Sequence, residues 1–164
     1  MVGDKIKRKA KNVFISHFGQ DEEHIGRLKT LLRNRGYQLK NSSIDSTKPN
    51  QASNPDYIKR LLRLRIHWSG TVIVLVGPET HTRPWVDWEI EQAHKKGKRI
   101  VGVYINGAGQ SDIPEKLAKY GHAMVGWTGN KIIEALEGGG TPPKWEDGEN
   151  SSWNSPFTRI VSNC

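Results

Sequence analysis

The sequence predicts an α/β domain, a five-stranded parallel sheet with helices on both faces. Two observations point there. Short, near-continuous apolar runs such as NVFIS, TVIVLV and RIVGVYI read as strands buried on both sides, because a strand with one wet face alternates. Between them lie stretches whose apolar residues recur three and four apart, the spacing of a helix with one buried stripe.

In chain order, residues 12–16 form the first strand. Asp21 then caps a helix striped by Ile25, Leu28, Leu31 and Leu32 and ended by Gly36. Residues 37–39 are a short second strand, and the polar residues 40–53 a long loop. Asn54-Pro55 opens a second helix bearing Ile58, Leu61 and Leu62, because asparagine caps and proline suits a first turn. Residues 71–76 are the third strand and 77–83 its loop; Pro84 opens the third helix and Gly97 closes it. Strand four spans 99–105, followed by a turn over 106–110 and a short helix over 111–119. A fifth strand over 123–127 and a last helix over 130–137 complete the series. This order suits a flavodoxin-like open sheet, with its site beyond the carboxyl ends of the strands.

Three parts follow: a basic tail over 1–11, the domain over 12–137, and an extension over 138–164. Glycine, proline and serine dominate the extension, and no helical or strand period survives there. Trp145, Trp153 and Phe157 either anchor it onto the domain or belong to a disordered segment.

The third helix carries the most informative residues. At about 100° per residue, Val86, Ile90 and Ala93 cluster into a narrow apolar stripe. Glu89 lies on its flank, one turn after Trp85, whereas Asp87, Glu91 and His94 fall on the opposite, solvent side. A half-buried carboxylate beside an indole is a plausible chemical group, since burial and apolar neighbours tune its charge. The competing reading is a solvated residue at the edge of an amphipathic helix.

Composition narrows the function classes. A chain of 164 residues is one domain able to bury a real core. The longest apolar runs, 72–76 and 100–105, are far too short to span a bilayer, and the basic N-terminus lacks the apolar region of a signal peptide. The single cysteine, Cys164, excludes an internal disulfide framework and fits a reducing cytoplasm. The net charge of +8 invites a polyanion, but residues 1–11 alone hold five basic side chains against one acid. Lys59, Arg60, Arg63 and Arg65 share one helix and Lys95, Lys96, Lys98 and Arg99 bracket a turn, either as phosphate contacts or as solvated faces. No helix-turn-helix, zinc-finger or RNP pattern accompanies them, so nucleic acid is a minor reading.

Several chemistries fail on motif grounds. The phosphate loops G-x-x-x-x-G-K-[ST] and G-x-G-x-x-G after the first strand are absent, as are HExxH and G-x-S-x-G. The six histidines show no metal-ligand pairing. A phosphoacceptor receiver needs an aspartate at the end of strand one, where this chain has Ser16.

NVFISHFGQDE at the start and TVIVLVGPETHTRPWVDWEIEQAHKKGKRIVGVYING in the middle resemble the TIR-like domains of bacteria. The likeness is strongest to the ThsB-type proteins of the Thoeris anti-phage system. It covers about residues 12–137 and is weak over 37–68. The resemblance implies the flavodoxin-like sheet and NAD processing by cleavage of the nicotinamide–ribose bond. It also implies an ADP-ribose-type signalling product, a cyclic ADP-ribose isomer or related adduct, that activates a separate effector during infection. The family's catalytic glutamate maps onto Glu89, the acid that helix geometry singles out. Its strand-one residues map onto Phe14, Ser16, His17 and Phe18 as pocket lining, and Trp85 would lie beside the ribose or base. The loop after strand two matches nothing residue by residue, and Asp45 within it is either a substrate contact or a surface residue.

That chemistry needs one carboxylate, because nicotinamide leaves neutral and requires no proton. Glu89 would hold the ribose hydroxyls and offset the oxocarbenium charge, and Arg83 or a helix N-terminus would meet the diphosphate. NAD is then the substrate, with no cofactor or metal implied. Plainer roles stay open: Phe14 as core, Ser16 as a strand end, Trp85 and Trp88 as packing under the extension. Two other functions also stay open, a non-catalytic adaptor assembling through the 40–53 loop and a module that senses a nucleotide without turning it over.

Overall fold

Successive side chains of a strand point to opposite faces, and the central strands divide their apolar residues accordingly. Val13, Ile15, Ile73, Leu75, Val101 and Val103 join one core, while Phe14, Val72, Val74, Val76 and Ile100 join the other. The computed structural model describes residues 9–18, 21–41 and 54–143. The five strands are β1 (Lys9–Ser16), β2 (Tyr37–Asn41), β3 (Thr71–Val76), β4 (Arg99–Tyr104) and β5 (Ala123–Val125). They pair in the order β2-β1-β3-β4-β5, every neighbour parallel. This is the flavodoxin-like sheet the sequence predicts.

The helices are α1 (Glu23–Arg33), α2 (Pro55–Trp68), α3 (Pro84–Lys95), α4 (Glu115–Tyr120) and α5 (Gly129–Leu136). Leu28 and Leu32 of α1 and Ile132 and Leu136 of α5 cover the first face. Leu62 and Ile66 of α2, Val86 and Ile90 of α3, and Leu117 of α4 cover the second. All of these are at most 6 % exposed, the transfer from water that drives the assembly. No helix among the described residues is long and apolar enough to cross a membrane.

Most elements fall where the patterns place them, and the differences have physical reasons. β1 begins at Lys9, because Lys9, Ala10 and Lys11 pair with Tyr37, Gln38 and Leu39 through backbone alone, which leaves no apolar trace. The predicted helix over 111–119 is a 3-10 turn at Gln110–Asp112 followed by α4, with Pro114 at the boundary. Asn54 caps α2 as expected, its side chain accepting from the Asp56 amide at 3.0 Å. Asp21 does not cap α1, whose N-cap position is Glu22 with no side-chain bond. On the side expected to face solvent, His94 is exposed and Asp87 is partly covered. Asp87 accepts from the Lys116 amide at 3.2 Å and His94 stacks on Tyr120 at 3.8 Å, because α4 packs over that side of α3.

Candidate active site

The strand order reverses between β1 and β3, where the chain leaves toward opposite faces of the sheet, the position at which open α/β sheets take their ligands. β1 ends there in Ser16, whose side chain shares the face of Phe14. The loop from β3 to α3 is fixed by Thr80, fully buried, which accepts from the Gly77 amide at 2.8 Å and donates to the Leu75 carbonyl at 3.3 Å. Pro84 then starts α3 at a position whose N–H would have no partner. One turn later the helix carries Glu89 over the end of β1.

Ser16 Oγ donates to Glu89 Oε1 at 2.9 Å. Glu89 is 8 % exposed and Ser16 1 %, so the pair is withdrawn from water. Burial pushes the Glu89 carboxyl up to about 8, with the Ser16 hydroxyl pulling it back down. The buried face of α3 is wider than the predicted stripe, taking in Glu89 and Gln92 beside Val86, Ile90 and Ala93. Glu89 is therefore buried, not half-buried.

The other expected residues gather around this pair to different degrees. Phe14 is 1 % exposed and part of the core beneath α2 and α3. His17 donates from Nδ1 to the Ile15 carbonyl at 3.1 Å. The Arg83 guanidinium stands 3.7 Å from the Phe18 ring centre and pairs with Glu79 at 3.3 Å. Trp85 is 43 % exposed and meets Trp88 edge-on, with ring centres 5.8 Å apart. Trp88 in turn lies under Arg63 at 5.4 Å and Lys59 at 5.9 Å, which gives two of the clustered cations of α2 an aromatic partner. Asp45 lies outside the described residues.

One residue at this end of the sheet escaped the sequence reading. Asp21 is 7 % exposed, accepts from Asn106 Nδ2 at 3.4 Å and lies against Gly77, where an added Cβ would come within 3.1 Å of Oδ2. Burial raises its carboxyl, against the pull of His24 and His17. An aspartate just before a helical pattern looks like a cap, and only the packing of two loops reveals otherwise.

The family model described as "Thoeris protein ThsB, TIR-like domain" matches residues 14–110, which runs from the end of β1 through the turn after β4 and includes Ser16 and Glu89. The chain belongs to this family. A stretch of 49 residues is 37% identical to the Bacillus cereus (strain MSX-D12) protein named "Putative cyclic ADP-D-ribose synthase ThsB1". That stretch is 30% of this chain and 26% of the Bacillus protein, so the match spans about a quarter of the curated relative. Among solved structures, the TIR-like chain is similar to the Clostridium botulinum CMP N-glycosidase BcmB, at 20% identity and a TM-score of 0.46 over 77% of this chain and 98% of that one. It is also similar to the TIR domains of the activated Roq1 resistosome, which recognises the pathogen effector XopQ, at 16% identity and a TM-score of 0.45 over 94% and 85% of the two chains.

Proposed function

We propose that this TIR-like domain cleaves the nicotinamide–ribose bond of NAD, with Glu89 as the catalytic carboxylate. The observation that carries the reading is the buried hydrogen bond from Ser16 to Glu89 at the topological switch point. A carboxyl held in an apolar setting and raised toward neutral pH is costly to ionise, and a structure seldom retains one without use. The name of the Bacillus relative, a cyclic ADP-D-ribose synthase, supports the same substrate class.

In the proposed reaction the bond from ribose C1′ to the pyridinium nitrogen breaks and its electron pair leaves with neutral nicotinamide. The ionised Glu89 offsets the positive charge that grows on the ribose, and the cationic pyridinium of the bound substrate favours that ionised form. Water, or an adenine nitrogen or adenosine hydroxyl of the same molecule, then adds at C1′ and loses a proton. The second route gives a cyclic ADP-ribose isomer, the product class proposed to activate a separate effector protein in anti-phage defence. A phage-derived trigger and self-assembly are proposed to set when the enzyme acts. In this proposal Phe18 lines the pocket, Arg83 meets the diphosphate and Trp85 lies beside the ribose or base.

NAD turnover by the full chain and by Glu89→Gln, with products separated by mass, tests the reading. Nicotinamide release by the parent and a loss on the order of 10²–10³-fold in the variant support it. Equal turnover by both removes Glu89 from the chemistry. A second reading, an adaptor acting by assembly, is favoured by the exposed Tyr57, Leu64 and Trp68 of α2, which recur at helical spacing. Absence of turnover at concentrations that drive association would raise it above the first.

A further inference from the structure

A cavity of about 370 Å³ opens beyond the carboxyl ends of β4 and β5, and neither Ser16 nor Glu89 lines it. Its wall is built from His24 and Arg27 of α1, Tyr104 at the end of β4, the turn that begins at Asn106, and Trp127. The volume lies in the range of small-molecule sites and suits one bicyclic ring with its sugar.

Three features mark the cavity as shaped for a ligand. Trp127 and His24 meet edge-on at 5.8 Å, which leaves the 36 % exposed indole as a fixed aromatic wall. His24 is only 7 % exposed, yet its Nδ1 has no hydrogen-bond partner among the described residues. A buried polar atom left without a partner is unfavourable, and its place beside the cavity wall is unexplained by packing alone. Asn106 holds a left-handed backbone with φ 53, followed by Gly107 at φ 71, and its amide is tied to Asp21. A non-glycine residue in that region is uncommon and is retained where the surroundings demand it.

We propose that this cavity binds a heteroaromatic ring carrying an anionic group, the chemistry of a nucleotide, with the ring against Trp127 and the anion at Arg27. Arg27 is 63% exposed at its side chain and pairs with Glu23 at 3.3 Å, a surface pair that a phosphate readily displaces. Asn106, which lines the cavity, supplies a polar contact to the heterocycle's edge through its side-chain oxygen. This site is separate from the Glu89 pair and does not depend on NAD being the substrate there.

AMP is the probe, titrated into the full chain by calorimetry and followed by backbone amide NMR. Expected are shifts concentrated at residues 104–108 and 127, and binding weakened about tenfold by Trp127→Ala, the loss typical of one base–aromatic stack. Arg27→Ala should weaken AMP while leaving adenosine unchanged, which separates the anion contact from the ring contact. Both variants are checked for an unchanged melting temperature, and Trp127→Phe should restore most of the affinity if the ring contact is the cause. Binding that moves residues 14–18 and 85–89 instead, or is lost in Glu89→Gln and kept in Trp127→Ala, overturns the proposal. So does the absence of saturable AMP binding at millimolar concentration. Failure of NAD turnover alone leaves it standing.

Discussion

The Ser16 hydroxyl and the Glu89 carboxyl, 73 residues apart in the chain, meet in a buried hydrogen bond of 2.9 Å. Serine ends β1 and glutamate rides one turn into α3, so the contact records how α3 docks across the sheet. The hydroxyl favours the ionised carboxylate while burial opposes it, and burial is the larger effect. Whatever the site does, this opposition sets its response to pH.

The first prediction concerns stability. The Glu89 carboxyl rises from an ordinary 4.5 to about 8 on folding. Below the lower value both states are protonated and folding bears no penalty. Between the two the folded state holds the extra proton, so stability falls as pH rises, and above about 8 the loss is complete. Glu89→Gln keeps an oxygen for Ser16 but has no proton to lose. Its melting temperature should match the parent near pH 4 and exceed it by several degrees at pH 8.5, a gain on the order of 1–4 kcal/mol. Thermal unfolding across pH checks this; parallel curves would refute it.

A second prediction concerns the pH–rate profile. If the ionised carboxylate acts on NAD, kcat/KM should climb through an apparent pKa near 8. Ser16→Ala removes the bond that favours ionisation and should move that midpoint to higher pH, with the largest loss of rate near pH 7. An unchanged midpoint would make Ser16 a structural partner only.

Arg83 supplies a third. Its guanidinium stands on Phe18 and beside Glu79, and the Ser16–Glu89 bond does not include it. A contact to the diphosphate acts equally on bound substrate and transition state. Arg83→Ala should therefore raise KM for NAD about tenfold with kcat within about twofold. A fall in kcat at constant KM would place Arg83 at the reacting bond.

Two glycines should respond in opposite directions. Gly26 lies inside α1 with nothing within 4 Å of an added Cβ, so Gly26→Ala should stabilise by about 0.5–1 kcal/mol. At Gly121 the same atom would lie 2.6 Å from the Leu117 carbonyl and 2.9 Å from Pro143. Gly121→Ala should cost about 1–3 kcal/mol. Urea unfolding of the pair decides both.

The sheet was legible because its central strands are continuous apolar runs, and α3 because Pro84 and Gly97, the latter at φ 66, punctuate it. Glu89 was legible as an acid on the flank of that helix. Its bond to Ser16 was not, since it depends on the docking of elements far apart in sequence. Asp21 was misread because local pattern cannot tell a cap from a side chain packed against a distant loop. The polar start of β1 was invisible for a related reason, as its contribution to the sheet is backbone pairing.

Three cations at the opposite end of the sheet offset the dipoles of two helices. Lys11 donates to the Leu136 carbonyl, Arg99 to those of Ala135 and Gly139 at 2.7 Å each, and Lys98 to that of His67 at 3.0 Å. They therefore sit at the carboxyl ends of α5 and α2, where peptide dipoles leave partial negative charge, and they balance it. At the other end of the same helices, α2 has the Asn54 side chain on the Asp56 amide and Asp56 in its first turn, whereas α5 has neither a side-chain cap nor an acid. Of the two helices, α2 is thus offset at both ends and α5 at its carboxyl end.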